Sequence, residues 1–180
     1  MKNLLTILLI GIASLAFGQT NGKWSVGVGY TPSIQSGSTF GVYINRHFGE
    51  KWQVGLMPFG WFYGYENPSF TSLKSNSFGL NLSARYSPVQ LKLFKPYLYS
   101  FAGYGYSTFK YSNPNYSIND LTTDYINLSL GIGTEIAISK GWSLDANLGY
   151  LRLAFFDNAG YGNSPVFSIG VLKRFGKTKD

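Results

Sequence analysis

The chain has 180 residues, with 15 Lys and Arg against 8 Asp and Glu (formal net charge +7), no cysteine and one histidine. Charged residues make up only 13% of it and aromatic residues 18%; soluble domains carry about a quarter charged residues, so a surface that faces water alone is excluded and a lipid-facing one is indicated. Without cysteine there is no disulfide framework or thiolate metal site, and a single histidine leaves too few ligands for a transition-metal centre, so no cofactor or metal is expected.

The first element is a secretory signal. Lys2 supplies a positive start, residues 4–12 an apolar stretch too short to span a bilayer, and Ala16-Phe17-Gly18 a small-x-small cleavage site. We expect residues 1–18 to be removed and residues 19–180 to form one exported domain.

Beyond Gln19 the chain alternates polar and apolar residues with a period of two. Trp24, Val26, Val28 and Tyr30 share one face of a first strand, opposite Ser25, Gly27, Gly29 and Thr31. Phe78, Leu80, Leu82, Ala84 and Tyr86 oppose Ser77, Gly79, Asn81, Ser83 and Arg85. The longest such segment sets Ile126, Leu128, Leu130, Ile132, Thr134, Ile136 and Ile138 against a face of Asn, Ser, Gly and Glu135, and the next sets Trp142, Leu144, Ala146, Leu148 and Tyr150 against Ser143, Asp145, Asn147 and Gly149. Successive side chains of a strand point to opposite sides, so each segment has one apolar and one polar, small-residue face. The patterns place strands near residues 23–31, 39–48, 52–64, 75–87, 96–109, 122–138, 142–155 and 165–175, giving an all-β, eight-stranded antiparallel up-and-down transmembrane β-barrel.

A soluble barrel would turn the apolar faces inward. Here the polar faces are rich in glycine and short side chains, which suits a crowded interior, and the apolar faces begin or end in Trp, Tyr or Phe, as girdles do at lipid interfaces. Connector lengths agree. Residues 49–51 and 139–141 are tight turns, whereas 65–74, 110–121 and 156–164 are longer and rich in Asn, Pro, Ser and Gly, so short periplasmic turns alternate with longer external loops. The connector at 88–95 is long for a periplasmic turn, and the fifth strand is apolar on both faces through Tyr97-Leu98-Tyr99-Ser100-Phe101, which suggests a bulge or an altered register.

The signal, Lys95-Pro96-Tyr97 followed by Gly103-Tyr104-Gly105-Tyr106, and a closing strand with Phe167, Ile169, Val171 and Phe175 resemble the small outer-membrane β-barrel proteins similar to the membrane domain of outer membrane protein A. The resemblance implies that Phe175 is the terminal aromatic read by the barrel-assembly machinery, although residues 176–180 follow it. Adhesins, structural proteins, lipid-modifying enzymes and secretion accessories share this architecture, so it does not name a function.

Four charged residues fall on the polar faces near the periplasmic strand ends: Arg85, Glu135, Asp145 and, if the last strand keeps step, Arg174. With a three-residue turn at 139–141, Glu135 stands opposite Asp145, a like-charge pair that needs a cation. We expect a lumen charge cluster in which bidentate arginine contacts offset the burial of the carboxylates and obstruct the lumen. It reads as a structural plug, with a gate or ion path as the alternative. Paired carboxylates can do acid–base work, and His47 could activate a neighbouring serine, but no sugar cleft, second histidine or serine motif accompanies them, so no catalytic residue is assigned. Gly131-Ile132-Gly133 lacks the third glycine and the helix of a dinucleotide fingerprint.

The positive charge does not indicate nucleic acid, because it is one-sided. By this topology the external half of the chain holds Lys74, Lys110 and Arg152 against Glu66, Asp120, Asp124 and Asp157, and the remaining cations of the mature chain lie on the periplasmic half. Lys92, Lys95, Lys140, Lys173, Lys177 and Lys179 would meet inner-leaflet phosphates or stay solvated. The external loops are neutral and aromatic, with Tyr65, Phe70, Tyr111, Tyr116, Phe156 and Tyr161 among Asn, Ser and Gly, a common contact chemistry. The expected partners are outer-membrane lipid, the assembly machinery during insertion and an extracellular ligand at these loops. The function expected is structural or surface recognition, with a narrow pore or a lipid-modifying barrel as alternatives.

Overall fold

The computed structural model describes residues 24–32, 38–67, 71–91, 93–112, 121–156 and 161–176, so the segment expected to be the signal lies outside the described residues. Eight antiparallel strands close into a barrel in chain order: β1 (Trp24–Thr31), β2 (Ser38–Phe48), β3 (Trp52–Asn67), β4 (Thr71–Tyr86), β5 (Phe94–Ser112), β6 (Leu121–Ser139), β7 (Trp142–Phe155) and β8 (Tyr161–Phe175). Each pairs with the next, and β8 returns to β1 with Trp24 opposite Phe175 and Val28 opposite Val171. Closure gives every strand a paired neighbour on each side, a requirement where no water can satisfy backbone groups.

The outward faces carry the apolar residues. Leu128, Leu130 and Ile132 are 53%, 70% and 59% exposed, although leucine and isoleucine are normally among the most buried residues of a soluble core. Aromatic residues bound this band. Trp24, Phe48, Trp52, Tyr86, Trp142 and Phe175 ring the periplasmic end, and Tyr30, Phe40, Phe62, Phe78 and Tyr106 the external end. They meet across strands, Tyr30 with Phe40 at 4.9 Å and Trp52 with Tyr86 at 4.7 Å between ring centres. Arg46, also facing outward, lies between Trp24 and Phe48 with its guanidinium 5.8 and 5.3 Å from their rings, where an interfacial cation packs its stem on apolar surface.

The inward faces explain the glycines. An eight-stranded barrel is just wide enough for side chains to fill it, and here large inward aromatics lie over glycines of nearby strands. A Cβ at Gly105 would sit 2.4 Å from the Tyr125 ring, one at Gly133 2.4 Å from Tyr97, and one at Gly149 2.1 Å from the Tyr99 hydroxyl.

Three features depart from the sequence expectation. First, β5 is continuous in register with β6 from Phe94 and with β4 from Leu98 onward; it is apolar on both faces because Tyr97, Tyr99 and Phe101 face the lumen while Leu98 faces lipid. The irregularity lies instead in β6, between Ala137 and Ser139, where a two-residue turn of Lys140 and Gly141 (φ 79°) plus one extra residue replaces the three-residue turn. Second, the external ends run longer than the alternation indicates: β3 and β4 pair as far as Asn67 and Thr71, and β5 and β6 each span 19 residues. About ten residues cross a bilayer, so the remainder turns its outward face to water instead of lipid, keeps small buried residues such as Ser75 and Ser107 inward, and loses the apolar period that marks a strand. Third, the 88–95 connector folds back on its neighbours: Ser87 N donates to the Lys51 carbonyl, Gln90 Nε2 to that of Glu50, and Ala137 N to that of Leu93.

Candidate functional site

The register of the periplasmic third builds a charged layer across the lumen. Gln53 stands opposite Arg85 on β3 and β4, Lys95 opposite Glu135 on β5 and β6, and Glu135 opposite Asp145 on β6 and β7. The two carboxylates therefore share one wall. Arg85 reaches them from the far side: its Nη1 and Nη2 each donate to Asp145 at 3.0 Å, and Nη1 lies 3.9 Å from Glu135 Oε1. Arg174, inward on β8, donates to Glu135 Oε2, and Gln53 Nε2 donates to Glu135 Oε1 at 2.9 Å. Tyr97 donates its hydroxyl to Asp145 Oδ1 at 2.7 Å, and the Arg85 guanidinium lies 4.7 and 5.2 Å from the rings of Tyr97 and Tyr43.

Arg85, Glu135 and Asp145 are all buried, while Arg174 is 34% exposed toward the periplasmic end. A buried charge is tolerated only when paired and hydrogen-bonded, and each carboxylate here has both an arginine and a neutral donor. All four residues singled out from the sequence meet in one network.

Sequence reasoning missed Gln53, Tyr43, Tyr97 and Lys95. Lys95, expected to meet lipid phosphate or stay solvated, is instead buried on the lumen face, because the inward parity of β5 is hidden by its two apolar faces. Gln53 alternates with Val54 and Leu56, and that period was the available signal.

His47 also faces the lumen, at the same end, with Nε2 3.0 Å from the Ser25 hydroxyl, to which Asn45 Nδ2 donates at 3.5 Å. A histidine–serine contact is the geometry of an activated nucleophile, but Ser25 is fully buried.

Of the external aromatic residues, Phe70 and Tyr116 lie outside the described residues. Tyr65, Tyr111 and Tyr161 belong to β3, β5 and β8 rather than to loops, because those strands continue past the membrane. Phe156 is exposed just beyond β7, its backbone N–H donating to the Asp124 carbonyl. Among the described residues, no three His, Asp or Glu side chains gather as a metal site.

A closed eight-stranded barrel with an exposed apolar band, two aromatic girdles and a charged interior defines a transmembrane barrel of the outer-membrane class. Residues 4–175 match the family model of the outer membrane protein beta-barrel domain, and the chain belongs to that family. No curated protein matches it by sequence. Among solved structures it is similar to Neisserial surface protein A (TM-score 0.62, 16% identity, covering 87% of this chain and 98% of that one). It is also similar to Ail, the attachment invasion locus protein of Yersinia pestis (0.57, 15%, 87% and 100%), which has also been crystallised with the heparin analogue sucrose octasulfate. The N-terminal β-barrel domain of Pseudomonas aeruginosa OprF is a third (0.57, 11%, 86% and 99%). At these identities the likeness shows the fold. The chain is an outer-membrane protein, and its apolar band contacts lipid.

Proposed function

We propose that this protein is a non-enzymatic barrel with a surface-recognition or structural role, which binds through its external ends while its lumen stays closed to ions. The observation that carries the closed lumen is the bidentate Arg85–Asp145 contact spanning the interior beside the Glu135–Arg174 pair. Full burial of Ser25 supports the absence of an acyl-transfer site, since no substrate carbonyl reaches its hydroxyl. Recognition by the external ends is supported by Phe156 and by the tyrosines that crown β3, β5 and β8. That Ail was crystallised with the heparin analogue sucrose octasulfate supports a ligand-binding role for a barrel of this fold. This chain's external half, with three cations against four acids, fits a neutral or aromatic ligand better than a polyanion. Residues 1–18 act as the signal, and β8, with Phe167, Ile169 and Phe175 facing outward, serves as the assembly signal.

Planar-bilayer recording tests the closed lumen. The native protein is expected to give no steady single-channel current and Arg85→Ala to create one; large steady currents from the native protein contradict the reading and favour the narrow pore. For recognition, replacing residues 113–119 with Gly and Ser should reduce binding to cultured cells and immobilised matrix while the barrel still folds, and unchanged binding contradicts it.

A further inference from the structure

Above the charged layer the lumen is not filled. A cavity of about 100 Å³ runs from Arg85 toward the external ends of β1, β2 and β3, bounded on its way by Thr31, Thr39 and Trp61. Interiors normally hold few voids larger than one water, and this one exceeds that several-fold. Its walls are aromatic and aliphatic: Tyr43, Met57, Phe59, Phe101, Tyr125 and Leu151.

Its polar lining is mixed, and four of the groups are buried without a partner among the described residues: the Tyr99 hydroxyl and three oxygens of Asn81, Asn127 and Ser83. Asn81 on β4 and Asn127 on β6 both stand opposite Gly103 on β5, and the space left by its missing side chain is taken by Asn81 Oδ1, 1.9 Å from where a Cβ would sit. Both amides and the nearby Ser83 hydroxyl line the cavity, and the three residues are 2%, 3% and 6% exposed. Asn81 Oδ1, Asn127 Oδ1 and Ser83 Oγ have no hydrogen-bond partner among the described residues. A buried oxygen left without a donor costs about 1–3 kcal/mol, so three together mark a place where a donor is missing. The one charge at the cavity, Arg85, is met by Asp145, so nothing there calls for an ionic ligand.

We propose that this cup is a binding site for a small neutral single-ring molecule carrying an O–H or N–H donor, a phenol-like ligand. Its ring lies among Tyr43, Met57, Phe59 and Phe101, and its donor points to Asn81, Asn127 and Ser83. Apolar walls with a few convergent polar groups are the usual make-up of a small-molecule site. The site is separate from recognition by the external loops and survives failure of that reading.

Met57 reports on the cup directly. The chain has two methionines, and the other, Met1, lies in the segment expected to be removed. The full barrel, carrying ¹³C-methyl methionine in lipid nanodiscs, is titrated with phenol, toluene and benzoate. Phenol is expected to shift the Met57 methyl resonance saturably, at least as tightly as toluene and about tenfold more tightly than benzoate, the factor that one hydrogen bond or one unpaired buried charge supplies. Asn127→Leu should weaken phenol about tenfold and leave toluene within about twofold, since only the donor loses its acceptor. No saturable shift would mean that the cup holds water only, and would overturn the proposal. So would toluene or benzoate binding more tightly than phenol, a comparison on the native chain that does not depend on the variant folding.

Discussion

Single residues decide whether the interior closes. At Gly105 an added methyl would occupy space already taken by the Tyr125 ring, 2.4 Å away, so Gly105→Ala is expected to lose roughly 1–3 kcal/mol in urea unfolding, the cost of overpacking a filled core. Gly64, with nothing within 4 Å of its would-be Cβ, is the control and should change by less than about 0.5 kcal/mol. Equal effects at the two positions would show that the aromatic rings do not rest on the glycines. Arg85 offers the complementary test. Arg85→Ala leaves Asp145 buried without its bidentate partner, an imbalance of roughly 3–5 kcal/mol, whereas Arg85→Met with Asp145→Leu removes both charges and should cost clearly less than either single change. A double variant as unstable as the sum of the singles would contradict the pairing. At this scale the sequence was informative about parity and silent about distance. Alternation put Arg85, Glu135, Asp145 and Arg174 on inward faces, but only the closed register shows Arg85 crossing to the opposite wall, and only the three-dimensional lumen shows the Asn81 and Asn127 oxygens without donors.

At the scale of elements, the strands were legible wherever one face meets lipid and the other a polar interior. Both conditions hold along β6 from Ile126 to Ile132, where the apolar period of two is unbroken. They fail in two places. In β5 the inward Tyr97, Tyr99 and Phe101 are as apolar as the outward Leu98, which hid the parity of Lys95 as well. At the external ends the outward face meets water rather than lipid, and polar residues such as Lys74 and Lys110, in paired strands, read as loop. The β6–β7 hairpin carries its own test. The extra residue between Ala137 and Ser139 is not needed to set Glu135 against Asp145, since those two are already in register above it. Deleting Ile138 should leave a regular two-residue turn, a folded barrel by heat-modifiable gel mobility and a stability within about 1 kcal/mol of the native chain. Loss of the folded band would show that the bulge holds the register.

The whole molecule rests on an inversion of the usual soluble arrangement. Hydrophobic burial stabilises it not by packing Leu and Ile together but by facing them to acyl chains, while closure gives each strand two paired neighbours and turns the polar side chains inward. The native chain contains no cysteine, so single cysteines introduced at each position from 126 to 133 can carry nitroxide labels without background. In bilayers, labels at 126, 128, 130 and 132 are predicted to collide freely with dissolved oxygen and poorly with a water-soluble nickel complex, whereas labels at 127, 129, 131 and 133 should be shielded from lipid-borne oxygen. The reverse alternation, or no alternation of period two, would contradict the account.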